Sequence, residues 1–329
     1  MNTRLPVLAA ILGIQLLLIA AFVLFQDEAG EASAFFSVDP SSIEKLRIEG
    51  EGAEIELVRS TDGWTFPDGT PADGGKIEAL FEKLSKTSGV WPVATSAASQ
   101  ERFEVTEANH QRRLTVSTAQ LGEIELYFGT SPGYRRVHAR RADVEAVYSI
   151  DFANHELPTS RDEWLDKTLL QSEDVSKVAL RDGWVLERTA EGWQVNGEAA
   201  DPVAVQRVID RLEGIRVVGF ADPQLAFEPT RFLSITDALG TFTLELALDP
   251  STDEYVVQSD RVTGRFTLAS YVAEQLLGEA DALQAAEPIE TSVIAPADST
   301  ADAEGSSESA EGSSDSAEGS SDSAEGSEN

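Results

Sequence analysis

From residue 42 onward the apolar positions of this chain fall into one pattern, written twice. In the first copy Ile43, Leu46 and Ile48 lead into Ile55-Glu-Leu57-Val58-Arg59 and then the turn Asp62-Gly63-Trp64. In the second, Val175, Val178 and Leu180 lead into Val185-Leu186-Glu187-Arg188 and the turn Glu191-Gly192-Trp193. Each turn is followed by an i, i+3, i+4, i+7 stripe, the signature of a helix with one apolar face. Ile77, Leu80, Phe81 and Leu84 answer Val205, Val208, Ile209 and Leu212, each 128 positions on. Asp201 with Pro202 predicts a strong N-cap and first-turn pair; Asp73 with Gly74 is a weaker one.

Period-two alternation continues the correspondence past the helices and predicts half-buried strands. Leu114 and Val116 match Leu233 and Ile235, Gly122 to Leu126 matches Gly240 to Leu244, and Val147 to Ile150 matches Arg265 to Leu268. Each copy reads strand, strand, turn, strand, helix and four strands. The fold class is therefore α+β, with two tandem, internally duplicated antiparallel-sheet-plus-helix repeats over residues 42–158 and 174–283. Between them, at 159–173, Ser160-Arg-Asp-Glu163 has the form of a capping box and predicts a connecting helix through Trp164, Leu165, Thr168 and Leu169.

Ahead of the repeats, Leu5 to Phe25 carries no charge over twenty-one residues, enough for a helix to cross a hydrocarbon core. This predicts a transmembrane anchor within residues 1–26 and a juxtamembrane linker at 27–41. Arg4 before the span and Asp27, Glu28 and Glu31 after it predict a cytoplasmic N-terminus, hence a single-pass protein of the cytoplasmic (inner) membrane with its bulk outside. A cleaved signal peptide with Ala32-Ser33-Ala34 as the site is the rival reading, but the apolar stretch exceeds a signal core. After Gln284 come twelve acidic residues and no basic one, including three turns of a seven-residue Ser/Glu/Gly unit from Ser306 to Gly326. Residues 284–329 thus predict a disordered acidic tail.

Charge and composition narrow the chemistry. A formal net charge of −33 repels nucleic acid, and no basic stripe offsets it. The absence of cysteine removes disulfides, Cys-ligated zinc, iron–sulfur clusters and thiol nucleophiles. His110, His138 and His155 lack the i, i+4 spacing that sets two imidazoles on one metal, so neither metal nor cofactor is expected. Gly129-Thr-Ser131-Pro-Gly133 fits the G-x-S-x-G pattern of a hydrolase nucleophile, but that pattern needs a helix after the turn and here another strand follows. The remaining candidate is Tyr134-Arg-Arg-Val-His-Ala-Arg-Arg141. Alternation would put Arg135 and Arg141 on one face and Arg136, His138 and Arg140 on the other, which predicts an edge strand guarded by charge or a docking patch for an acidic partner or an anionic envelope polymer. Trp64 and Trp193, at equivalent places, are expected to pack in the core.

The apolar N-terminal stretch, the Asp/Glu-Gly-Trp turns before helices opening Ala72-Asp73 and Ala200-Asp201, the Val147-Tyr-Ser-Ile150 segment and the Trp164-Leu-Asp-Lys-Thr-Leu169 connector resemble domain-of-unknown-function family 4340 over residues 1–283. Members look like single-pass bacterial envelope proteins, often encoded beside gliding-motility-type ABC transporter components. The resemblance implies an accessory role beside such subunits and brings no catalytic residues. The leading expectation is a non-enzymatic, membrane-anchored extracytoplasmic interaction module. A binding module for an envelope polymer or other ligand stands second, and an envelope hydrolase using Ser131 third.

Overall fold

The computed structural model describes residues 35–87, 91–278 and 280–284 and, within the N-terminal stretch, Gln15 alone. Two antiparallel sheets carry the fold. The first is built from β1 (Ile43–Gly50), β2 (Ala53–Ser60), β3 (Gly63–Thr65), β4 (Pro92–Ala94), β5 (Arg112–Thr118), β6 (Gly122–Phe128), β7 (Val137–Arg141) and β8 (Val147–Ile150), with α1 (Gly74–Ser85) and α2 (Ala97–Arg102) between strands. The second contains β9 (Lys177–Leu180), β10 (Val185–Thr189), β11 (Gly192–Val195), β12 (Glu198–Ala199), β13 (Gly219–Phe220), β14 (Arg231–Asp237), β15 (Gly240–Asp249), β16 (Glu254–Ser259) and β17 (Arg265–Leu268), with α3 (Pro202–Glu213) before β13 and α4 (Ser270–Leu276) after β17.

Spatial order shows that the two sheets are one design. The first runs β3-β2-β1-β5-β6-β7-β8-β4 and the second β12-β11-β10-β9-β14-β15-β16-β17-β13. Without the short β12 they are identical, strand for strand. Register agrees too: Leu46 faces Val116 and Ile48 faces Leu114 in the first sheet, while Val178 faces Ile235 and Leu180 faces Leu233 in the second. Because a one-residue slip would turn every buried side chain outward, this agreement follows from the shared apolar pattern.

The helices form where the stripes predict. Asp73 accepts from the Lys76 N–H at 2.9 Å and Asp201 from the Val203 N–H at 2.8 Å, so each carboxylate satisfies a donor left free in the first turn. Ile77, Leu80, Phe81 and Leu84 are buried, as are Val205, Val208, Ile209 and Leu212, each stabilising by about 1.5–3 kcal/mol relative to exposure. A further shared device sits at the turns. Arg59 donates through Nε to the Ile43 carbonyl at 2.7 Å with its guanidinium 4.8 Å from the Trp64 ring, and Arg188 reaches the Val175 carbonyl with its guanidinium 5.2 Å from Trp193. Trp64 is buried, whereas Trp193 is only half-buried.

Residues 159–173 are not an α-helix. A single 3-10 turn, Arg161–Glu163, is followed by non-helical chain, and Ser160 makes no side-chain cap. The reason is that this segment closes the first repeat: Leu165 bridges Ala72 and the Trp164 carbonyl accepts the Asp73 N–H at 2.8 Å. In the second repeat Gln284 bridges Ala200 and the Leu283 carbonyl accepts the Asp201 N–H at 2.9 Å. The repeat thus extends through Leu165 and, equivalently, Gln284.

The two repeats meet in one compact unit with a continuous core. Phe66 packs edge-on against Phe220 with centroids 5.5 Å apart, and the Arg161 guanidinium lies 4.7 Å and 4.3 Å from the two rings while Nη2 pairs with Asp68 at 2.7 Å. Asp162 accepts the Phe220 N–H at 2.7 Å, which blunts the outer edge of β13. In the first sheet the equivalent edge position is Pro92, which has no N–H to blunt.

Among the described residues no helix is long and apolar enough to cross a membrane. This corrects the expected single-pass architecture: the span assigned to 5–25 lies outside the described residues apart from Gln15, and the fold of the described residues is two α+β repeats. The bilayer partnership and the inner-membrane placement with the N-terminus inside rested on that span and fall with it; the transporter-accessory role, drawn from the family resemblance, finds no support in the described residues either. The tail expected at 284–329 also lies outside the described residues, apart from Gln284.

Candidate functional site

The segment singled out for docking is not an edge strand. β7 lies between β6 and β8, and its charges survive there because a second small core covers the sheet's outer face. The link from α1 to β5 is nine residues longer than its counterpart, as the offset between repeats falls from 128 at Leu80 and Val208 to 119 at Leu114 and Leu233. That extra chain forms α2 and the loop after it, where Val105 packs with Tyr127 and Val147, flanked by Phe103 and Ala94.

Beneath this cover Arg140 is buried, donating through Nε to the Val105 carbonyl at 2.7 Å and through Nη1 to the carbonyls of Arg141, Ala142 and Val144 at 3.1–3.3 Å. Four carbonyls replace the water a guanidinium would otherwise hold. In the second repeat the same cross-strand pair has its arginine on the other strand: Arg140 faces Val147, while Gln258 faces Arg265. Arg265 likewise braces a loop, donating to the Leu225 carbonyl at 3.0 Å. Arg140 is therefore a structural brace, which the strand's charge pattern alone does not reveal.

His138 is buried beside it, its Nδ1 3.0 Å from the Thr130 hydroxyl and its ring stacked on Phe103 at 3.9 Å. Burial pushes its pKa down, a hydrogen bond at Thr130 opposes this, and the charge of Arg102 adds to the fall. The folded protein thus favours neutral imidazole, unsuited to docking an anion. Arg141 is claimed by Asp143 in a two-point pair at 3.0 and 2.7 Å, which in turn holds the Asp143 carboxyl below its usual range.

Two of the five candidates remain at the surface. Arg135 is exposed, with φ of 54° and its guanidinium 5.8 Å from the ring of Tyr134, which is 89 % exposed. Arg136 is exposed and donates to the Ser149 hydroxyl at 3.0 Å and the Ser149 carbonyl at 2.5 Å. It meets no carboxylate within ion-pair distance among the described residues.

Arg136 lines a groove of about 410 Å³ with Ala79, Glu82 and Lys83 from α1, Lys86 just after it, Ile150 at the end of β8 and Asp151 beyond. Lys83 pairs with Glu156, and Lys86 with Glu82 at 2.7 Å. The lysines escaped sequence reasoning because two cations three residues apart near a helix end read as a solvated face that complements the helix dipole. Only the fold sets them beside Arg136, fifty or more residues away in the chain.

Catalytic geometry is missing from the G-x-S-x-G segment. It joins two strands, and the single Ser131 hydroxyl proton is shared between the Gly133 and Arg136 carbonyls, 2.7 and 2.6 Å away. His138 is committed to Thr130, so among the described residues no base addresses Ser131, and the hydrolase reading is overturned. Gly129 is required by packing: a Cβ there would stand 1.9 Å from the Phe103 carbonyl oxygen. Among the described residues no group of three or more His, Asp or Glu side chains is arranged to hold a metal ion.

With the duplicated sheets and this groove in view, the chain can be placed in its family. Residues 65–232, just over half its length, match the model of the family described as Domain of unknown function (DUF4340), and the chain belongs to that family. The match begins at the end of β3 and ends in β14, so it crosses the joint between the repeats. No curated protein and no solved structure matches the chain.

Proposed function

We propose that this protein is a non-catalytic binding domain that docks an acidic segment of a protein partner at the groove between α1 and the β7–β8 end of the first sheet. The observation carrying this reading is Arg136, a cation without a carboxylate partner among the described residues, aligned with Lys83 and Lys86 in a chain that carries 58 acidic and 25 basic residues. Exposed Tyr134 and Arg135 immediately precede Arg136 in the chain, and tyrosine and arginine are residue types enriched at protein interfaces. Glu82 and Asp151 line the same groove and Glu82 and Glu156 pair the two lysines, so the charge left for a partner there is that of Arg136, and acids beyond the screening length of about 8 Å at physiological ionic strength are largely screened from it.

The test is the affinity of a fluorescein-labelled octaglutamate peptide for the full chain near 0.15 M salt. Arg135→Ser with Arg136→Gln should weaken binding by about tenfold, the worth of one to two charge-assisted hydrogen bonds, and leave stability nearly intact because exposed charges contribute little. Equal binding by the double variant would remove this site from the account.

A further inference from the structure

We propose that the second repeat contains a binding pocket for a small amphipathic carboxylate, an aliphatic or aromatic body bearing one carboxylate, between α3 and the segment that closes the repeat. It is independent of the basic groove in the first repeat. The duplicated fold shows how it arose. In the first repeat the corresponding space is closed, for the Lys76 ammonium lies 4.9 Å from the Trp164 ring centroid and 3.1 Å from the Glu163 carboxylate. The backbone bonds that close each repeat set Trp164 against Leu283 and so Glu163 against Ala282, and the helix stripes set Lys76 against Ala204. All three plugging side chains are replaced by smaller apolar ones, and a cavity of about 270 Å³ opens.

The chemistry of its walls defines the ligand. Trp184, Ala204, Val208 and Leu283 supply an apolar lining, and the one indole N–H among them is spent on the Gly278 carbonyl at 2.6 Å. Nothing in that lining rewards a polar body. Two arginines one helical turn apart, Arg207 and Arg211, line the cavity as well, with Gln275, Gly278 and Ala282. Arg211 donates to the Gln275 carbonyl at 3.1 Å, and neither meets a carboxylate within ion-pair distance among the described residues. Their counterparts in the first repeat are Ala79 and Lys83, so Arg207 is a charge that only the second repeat carries. Burying an apolar body while a carboxylate meets a guanidinium combines the two interactions a small site uses for affinity and orientation.

Isothermal titration of the full chain with octanoate tests this, with 1-octanol and acetate as the ligands that lack one half of the chemistry. Octanoate should bind saturably at one site, and octanol and acetate each at least about tenfold more weakly, since losing a charge-assisted bond or the apolar burial exceeds one factor of ten. Arg207→Gln should weaken octanoate while leaving octanol unchanged. Ala204→Lys with Ala282→Glu restores the ion-paired two of the three plugging side chains of the first repeat and should abolish binding while the chain stays folded, as that pair is already carried there. No saturable binding, equal affinity for octanol, or undiminished binding by the plugged variant would each overturn the proposal.

Discussion

Replacing Trp164 by alanine is expected to cost about 3–5 kcal/mol, the range for removing a buried tryptophan, and to lower the melting temperature by roughly 6–20 °C for a unit of this size. The side chain is fully buried, its indole N–H donates to the Pro158 carbonyl at 2.8 Å, and the Lys76 ammonium sits over its ring. Its backbone ties the end of the first repeat to the start of α1, and three residues earlier the Arg161 guanidinium lies against both Phe66 and Phe220. A hole at Trp164 therefore loosens the joint as well as one core. Both repeats should be lost in one transition, followed by circular dichroism with the remaining tryptophans as reporters. A loss under about 1 kcal/mol, smaller than any core truncation of this size, would show that the closing segment carries little of the stability.

Leu80→Ala is expected to cost about 2–5 kcal/mol and Val208→Ala less, because valine gives up fewer atoms to the same kind of cavity. Both side chains are buried on the sheet-facing stripes of α1 and α3, at equivalent places 128 residues apart. Treated as separate modules joined by a rigid helix, each variant would melt its own repeat and spare its neighbour. The continuous core changes that expectation. With no connecting helix and with Phe66, Arg161, Asp162 and Phe220 locked across the joint, chemical denaturation of either variant should give one transition shifted to lower denaturant. A variant that unfolds in two separated steps would contradict the shared core.

The parts of this architecture visible from residues alone are those where a physical period acts over many positions. The i, i+3, i+4, i+7 stripes at Ile77 and Val205 and the period-two runs at Leu114 and Leu233 each recur often enough to stand above chance. Segments of two or three residues carry no period. β4, β12 and β13 thus left no trace, although β4 and β13 end their sheets. The connector misled for another reason: Ser160-x-x-Glu163 has the letters of a capping box, but tertiary bonds from Trp164 and Leu165 to the start of α1 outweigh a local helix. The arginine run misled because its cover, Phe103 to Val105, is far off in sequence and belongs to an insertion that one repeat has and the other lacks. For the same reason neither groove was legible: Arg136 with Lys83, and Leu283 with Ala204, become neighbours only through the fold.

The claim on which the rest depends is that one strand order and one register occur twice. The chain contains no cysteine, so engineered pairs report on register without interference. Arg47 faces Thr115 across β1 and β5, and Ala179 faces Ser234 across β9 and β14 at the equivalent position. Paired residues in an antiparallel ladder stand about 4.5–5.5 Å apart at Cα, within the reach of a disulfide. The account predicts that Arg47→Cys with Thr115→Cys, and separately Ala179→Cys with Ser234→Cys, oxidise readily in the folded protein, whereas the staggered pairs Arg47→Cys with Ser117→Cys and Ala179→Cys with Thr236→Cys do not. Oxidation of the staggered pair in either repeat, or failure of the facing pair in one repeat alone, would mean that the two sheets differ in register and that the duplication does not hold.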